Sequence, residues 1–199
     1  MKLFKKKISR QDHCAQWCST KGNSRRLQLR CLQLALLVER FLPAGRDGVT
    51  ALCVGCRDNI ELDAIEHACG IKTKGLDLEQ TDPRIEVGDM HKMQFEDGSF
   101  EVVYSAYNLH HAKDLQVVID EFLRVVKPGG LVVIETPVQF TDYDKTTTVN
   151  SKGWVKIDAK STKNLLALMG ERISEVLVRD DFVSRDNPEL IARLIVRRK

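Results

Sequence analysis

Short apolar runs alternate with stretches of helical periodicity from Thr50 to Glu135, and this alternation constrains the fold more than any other feature of the chain. Residues 50–55 read as a buried strand and 59–69 as a helix, with a second strand over 72–78 after the turn at Gly70. Residues 84–87 form a third short strand and 100–105 a fourth, followed by an amphipathic helix over 115–126. Pro128-Gly129-Gly130 then punctuates before a fifth strand over 131–135. Strand-helix-strand order of this kind implies a mostly parallel sheet with helices on both faces.

Beyond a polar linker at 139–156, a helix is expected near 162–169 and two late strands at 173–178 and 190–196, with Asn187-Pro188 between them. That last connection is too short for a crossover helix, so the two strands should pair antiparallel. The expected fold class is therefore α/β: a doubly wound, mostly parallel, Rossmann-like sheet of seven strands with an antiparallel strand near the C-terminus.

Residues 25–42 repeat Leu27, Cys31, Leu34, Leu37 and Phe41 at helical steps, so a helix leads into the domain until Pro43, Gly45 and Gly48 break it. The division expected is a basic helical extension over 1–48, packed on a core domain over 49–199. Charge follows the same division: residues 1–49 carry 11 Lys or Arg against 3 acids, and residues 50–199 carry 20 against 25. A basic front end can attract nucleic acid, anionic lipid or a phosphorylated substrate, and it is equally the composition of a solvated helix face.

The longest apolar stretches fall far short of the roughly 20 residues that span a bilayer, so no membrane partner is expected. The basic start MKLFKKKISR is followed by no apolar h-region. A cytoplasmic protein is expected, with its 6 cysteines as reduced thiols. Cys53 and Cys56 offer poor tetrahedral geometry, and His13, Cys14, Cys18 and Cys31 fit no common finger spacing, so no metal site is expected.

Ligands of doubly wound sheets bind beyond the carboxyl ends of the strands, where the strand order reverses. The residues delivered there are Gly55, Cys56, Arg57 and Asp58 after the first strand and Asp77 with Leu78 after the second. The third strand delivers Asp89, Met90 and His91, and the fourth Ser105, Ala106, Tyr107 and Asn108. Gly55 permits close backbone approach, and Asp77, 22 residues later, stands where a carboxylate accepts ribose hydroxyls in nucleoside-binding sheets.

Taken together, ALCVGC, GLDL, VGDMHKMQFEDGSFEVVYS, YNLHH and EFLRVVKPGGLVVIETP resemble the class I S-adenosylmethionine-dependent methyltransferases, over about residues 48–137. The resemblance implies S-adenosylmethionine as cofactor, with Gly55 to Asp58 around its methionine part. Asp77 with Leu78 would serve the ribose, Asp89, Met90 and His91 the adenine, and Ser105, Ala106 and Tyr107 the sulfonium and its methyl group. The chain departs from the family in its first motif: Cys53 stands where an acid is usual, and Arg57 and Asn59 where further glycines are. Arg57 could pair with the cofactor carboxylate and Asp58 with its ammonium. A nicotinamide dehydrogenase would suffer more from the lost glycines, because it must bring a pyrophosphate onto the helix.

Methyl transfer asks the protein chiefly to align donor and acceptor and to exclude water, and an O or N acceptor also has to lose a proton. His110 and His111 are the candidate catalytic bases, with orientation of the loop as their alternative role. Tyr107, His110 and Trp154 are the candidate acceptor-binding residues, and Trp154 sits in a long loop of the kind that often forms a lid. No Pro-Pro-aromatic stretch follows the fourth strand and no Pro precedes a Cys, so methylation of nucleic-acid bases is disfavoured. A small-molecule, possibly sugar-like acceptor is the favoured partner. The rival readings are an RNA or protein methyltransferase docking through the basic front end, and a non-catalytic subunit of the same fold.

Overall fold

The computed structural model describes residues 24–137, 161–183 and 190–199. Helix α1 (Ser24–Glu39) leads into strand β1 (Thr50–Val54), helix α2 (Asn59–Cys69), and strands β2 (Lys72–Asp77), β3 (Ile85–Val87) and β4 (Phe100–Ala106). Helix α3 (Leu115–Val125), strand β5 (Val126–Pro137), helix α4 (Ser161–Met169) and strands β6 (Ile173–Val183) and β7 (Leu190–Arg198) complete it. The linker over 139–156, with Trp154, and the Asn187-Pro188 turn lie outside the described residues.

All seven strands form one sheet in the order β3-β2-β1-β4-β5-β7-β6. Strands β1 to β5 pair with one another in parallel, and β7 is antiparallel to both β5 and β6. Because strand side chains alternate between faces, β1 sends Leu52 and Val54 to one layer and Ala51 and Cys53 to the other. The first layer packs under α3 and α4 through Val118, Ile119, Phe122 and Leu165. The second packs under α1 and α2 through Leu34, Val38, Leu62 and Ile65. Helix α1 is thus a true layer of the core, with Leu34 and Val38 each 1% exposed.

Two sequence expectations need correction. Pro128-Gly129-Gly130 does not precede β5 but lies inside it, as an irregularity between the Phe100–Val126 and Val102–Leu131 pairs. Gly130 passes so close to β4 that a Cβ there would lie 2.7 Å from the Glu101 carbonyl oxygen. Strand β6 also runs on to Val183 through the charged Arg179, Asp180 and Asp181, which an edge strand can expose.

Candidate functional site

Strand order reverses between β1 and β4, which makes their carboxyl ends the expected site. Gly55 leaves β1 with φ 70° and donates its N–H to the Leu76 carbonyl at 2.7 Å. Arg57, where the family carries a second glycine, keeps the left-handed bend at φ 55°. Its N–H donates to Asp77 Oδ2 at 2.8 Å, and the Leu78 N–H donates to Asp77 Oδ1 at 2.6 Å. The β2 acid therefore holds the β1 loop in its bend, with its carboxylate at the end of β2.

Asp58 caps α2 by accepting the Ile60 N–H at 3.0 Å. The Arg57 guanidinium turns back along its own loop onto the other Asp58 oxygen, at 3.0 and 3.1 Å. Cys56 points its thiol into the core, against the space that Gly75 leaves open, so its backbone alone faces the crevice. Leu78, beside Asp77, is 54% exposed and offers a flat apolar surface at the strand end.

On the β3 side, Asp89 accepts both the backbone N–H and the ring Nδ1 of His91, at 2.9 and 2.5 Å. Partial burial works against the Asp89 carboxylate, but these bonds and the nearby Lys113 outweigh it and hold it below the usual range. His91 Nε2 accepts the Lys113 N–H at 2.8 Å, so this ring clamps the β3 loop to the start of α3. With both ring nitrogens engaged, His91 acts on a ligand only through the placement of Asp89. Met90 is half-buried against the core.

After β4, Ser105 is fully buried and donates its hydroxyl to Asn108 Oδ1, while the Asn108 amide donates to the Val54 carbonyl. Asn108 thereby ties the β4 loop to the β1 loop. Gly55 is required at this crossing, since a Cβ would lie 2.7 Å from Asn108 Cβ. Ala106 is buried, and Tyr107, at φ 57°, is half-buried against the core with the Arg30 guanidinium 3.5 Å above its ring. His110 and His111 form a short 3-10 turn with ring centroids 4.0 Å apart. Burial, helped by His111, pushes His110 down to about 3.

Two buried acids flank this crevice. Glu61, 6% exposed, meets the thiols of Cys53 at 3.4 Å and Cys31 at 3.8 Å, and burial pushes it up to about 8 despite Cys53 and Arg30. Glu135, 1% exposed at the end of β5, holds Arg193 at 2.6 Å and lies 3.7 Å from Arg30. Neither acid, nor Arg30 or Asn108, carries a role in the sequence reading. Asn108 alone had a signal, its place directly after a strand end.

A second cleft, lined by Asp97, Asp120, Arg124 and Arg172, lies at the opposite end of the sheet. Arg124 pairs with Asp97 at 2.8 Å and Arg172 with Asp120 at 2.6 Å, so this is a salt-bridged surface. Among the described residues no helix is long and apolar enough to cross a membrane.

The crevice suits a nucleoside whose link to its other end carries no phosphate. Asp77 and Asp89 can accept from hydroxyls and an exocyclic amine, and Leu78 can pack on a base. The amino end of α2, which would hold a pyrophosphate in a dinucleotide enzyme, is closed by the Asp58 carboxylate. S-adenosylmethionine fits this donor and acceptor set, and the phosphate-bearing cofactors of related sheets do not.

Comparison with known proteins gives the same answer. A family model described as a methyltransferase domain matches residues 52–134. The sterol 4-C-methyltransferase strm-1 of Caenorhabditis elegans is 40% identical over 62 residues, 31% of this chain and 19% of that protein. The 2-methyl-6-phytyl-1,4-hydroquinone methyltransferase of Synechocystis is 34% identical over 100 residues, 44% of this chain and 31% of that protein. The chain thus spans less than a third of the length of these curated relatives. A geranyl diphosphate methyltransferase solved with S-adenosylmethionine superposes with a TM-score of 0.66 at 17% identity, over 94% of this chain and 95% of that one. Residues 52–134 thus match the methyltransferase-domain model, and the chain shares the fold of the geranyl diphosphate methyltransferase.

Proposed function

We propose that this protein transfers the methyl group of S-adenosylmethionine to an O or N atom of a small-molecule acceptor. The observation that carries the reading is the crevice itself: Asp77 fixes the left-handed Arg57, Leu78 lies exposed beside it, and Asp58 closes the helix end to phosphate. Bound there, the cofactor supplies an electrophilic methyl group. The chain has to hold the nucleoside, place the acceptor in line and take up a proton.

Asp77 serves the ribose hydroxyls, Asp89 with Met90 the adenine, and the backbone of residues 55–58 the methionine end. Ser105 and Ala106 shape the floor beneath the methyl group, and Tyr107 forms the wall on the acceptor side. His110 is too weak a base near neutral pH for direct proton transfer, which leaves His111 as the candidate base and His110 as packing for the turn. Trp154 and the acceptor loop keep the role given by the sequence.

The relatives named above act on sterol and hydroquinone compounds by their names, which supports a small-molecule acceptor over a macromolecule. Calorimetry with S-adenosylhomocysteine and with NAD tests the reading. Binding of the first alone is expected; binding of NAD alone, or of neither at millimolar ligand, overturns it. Tight RNA binding with a steep salt dependence, lost on deleting residues 1–24, would replace the small-molecule acceptor by a nucleic acid.

A further inference from the structure

We infer that the acceptor carries an oxyanion, a carboxylate or a phosphate monoester, and that Arg30 of α1 recognises it. This rests on the methyl-transfer reading above and names the acceptor's chemistry.

Position comes first. The nucleoside acids Asp77 and Asp89 follow β2 and β3, on one side of the strand-order reversal. Arg30 lies on the other side, over Tyr107 at the end of β4 and toward Glu135 at the end of β5. It therefore faces the half of the crevice that the nucleoside leaves open.

Charge decides what it meets there. Arg193 takes Glu135 with two nitrogens, Nε at 2.8 Å and Nη2 at 2.6 Å, and so matches the one charge of that acid. Arg30 approaches Glu135 only to 3.7 Å, beyond hydrogen-bond reach, and its side chain is 33% exposed. Among the described residues its guanidinium makes a ring contact and this long ion pair and no hydrogen bond. The nearby Glu61 keeps its proton up to about pH 8, so it does not cancel the arginine at neutral pH. What remains is one positive charge with a planar fork of N–H donors, held flat by Tyr107 and aimed by Glu135. Such a fork matches carboxylate and phosphate oxygens.

The test uses the full chain with labelled S-adenosylmethionine and a panel of paired acceptors. Hydroxybenzoates and aminobenzoates are set against their methyl esters, and aminophenyl and hydroxyphenyl phosphates against the phosphate-free amine or phenol. Turnover of anionic members over their neutral partners is expected, and the carboxylate and phosphate arms tell the two sources apart. Arg30→Gln should raise KM for the anion about 10- to 100-fold with a smaller change in kcat, and should leave S-adenosylhomocysteine affinity within about twofold. Arg30→Lys, which keeps the charge, should recover most of the loss, and an unchanged Tm excludes a folding defect. Equal use of neutral partners, no anion accepted, or an unchanged KM in Arg30→Gln overturns the inference. Loss of S-adenosylhomocysteine binding in Arg30→Gln also overturns it, because Arg30 would then serve the cofactor carboxylate. If the wild-type protein itself fails to bind S-adenosylhomocysteine, the methyltransferase reading falls and this inference with it.

Discussion

Replacing Gly55 by alanine tests the crossing on which the site is built. At φ 70° an L-residue sits in the left-handed region, which costs about 1–2 kcal/mol. The new Cβ would also fall 2.7 Å from both Cβ and Cγ of Asn108, well inside contact distance. Asn108 is 5% exposed, so it has to shift within a packed interior and give up its bond to the Val54 carbonyl and its bond from Ser105. Leaving such buried polar groups unmatched costs about 1–3 kcal/mol. The total expected is about 2–5 kcal/mol, a large part of the roughly 5–15 kcal/mol that holds a domain together. Urea unfolding followed by circular dichroism should show a lower midpoint at unchanged slope. Adding Asn108→Ala removes the amide but leaves a Cβ 2.7 Å from the new methyl group, so the double mutant should recover only part of the loss. A Gly55→Ala protein within about 1 kcal/mol of wild type would refute the reasoning, because neither the bend nor the crossing would then need glycine.

Three further outcomes follow from the same geometry. Asp77→Ala removes both the ribose acceptor and the anchor of the Arg57 N–H, so calorimetry should show S-adenosylhomocysteine affinity reduced about 10- to 100-fold; unchanged affinity would end the ribose assignment. Glu61 keeps its proton in the folded state up to about 8, against an ordinary value of 4.5, so its contribution is fully present below pH 4.5 and declines as pH rises through 8. Glu61→Gln should flatten the wild-type fall in stability across that window, by up to about 1.4 kcal/mol per pH unit, and identical pH profiles in urea unfolding would refute the burial argument. His111→Gln should lower kcat about 100-fold, while His110→Gln should act mainly on Tm; the reverse pattern would return the base role to His110.

The centre of the sheet was legible because β1 and β4 are continuous apolar runs buried on both faces, as in β4, where residues 102–106 are all buried. Strand limits were harder to read where the usual signals have a second meaning. The Pro-Gly-Gly of β5 reads as a stop but serves as a bulge, and the charged half of β6 reads as loop but lies on an edge. Asp77, Asp89 and Tyr107 could be placed from sequence since each follows a strand directly. Glu135 and Arg30 could not be placed that way. Their partnership depends on β5 lying beside β4 and on α1 covering that face, and Arg193 meets Glu135 from 58 residues away.

The loop of residues 55–58 shows why composition alone misjudges this site. Counted by glycines it is depleted, yet Gly55 and Arg57 are both left-handed, at 70° and 55°. A non-glycine residue in that conformation persists only where its surroundings over-determine it. Here Asp77 accepts the Arg57 N–H and the Thr81 hydroxyl donates to the Arg57 carbonyl. The bend is fixed by the same carboxylate that the proposed function assigns to the ribose. The Arg57 side chain is turned onto Asp58, which leaves its backbone as the part that Asp77 fixes.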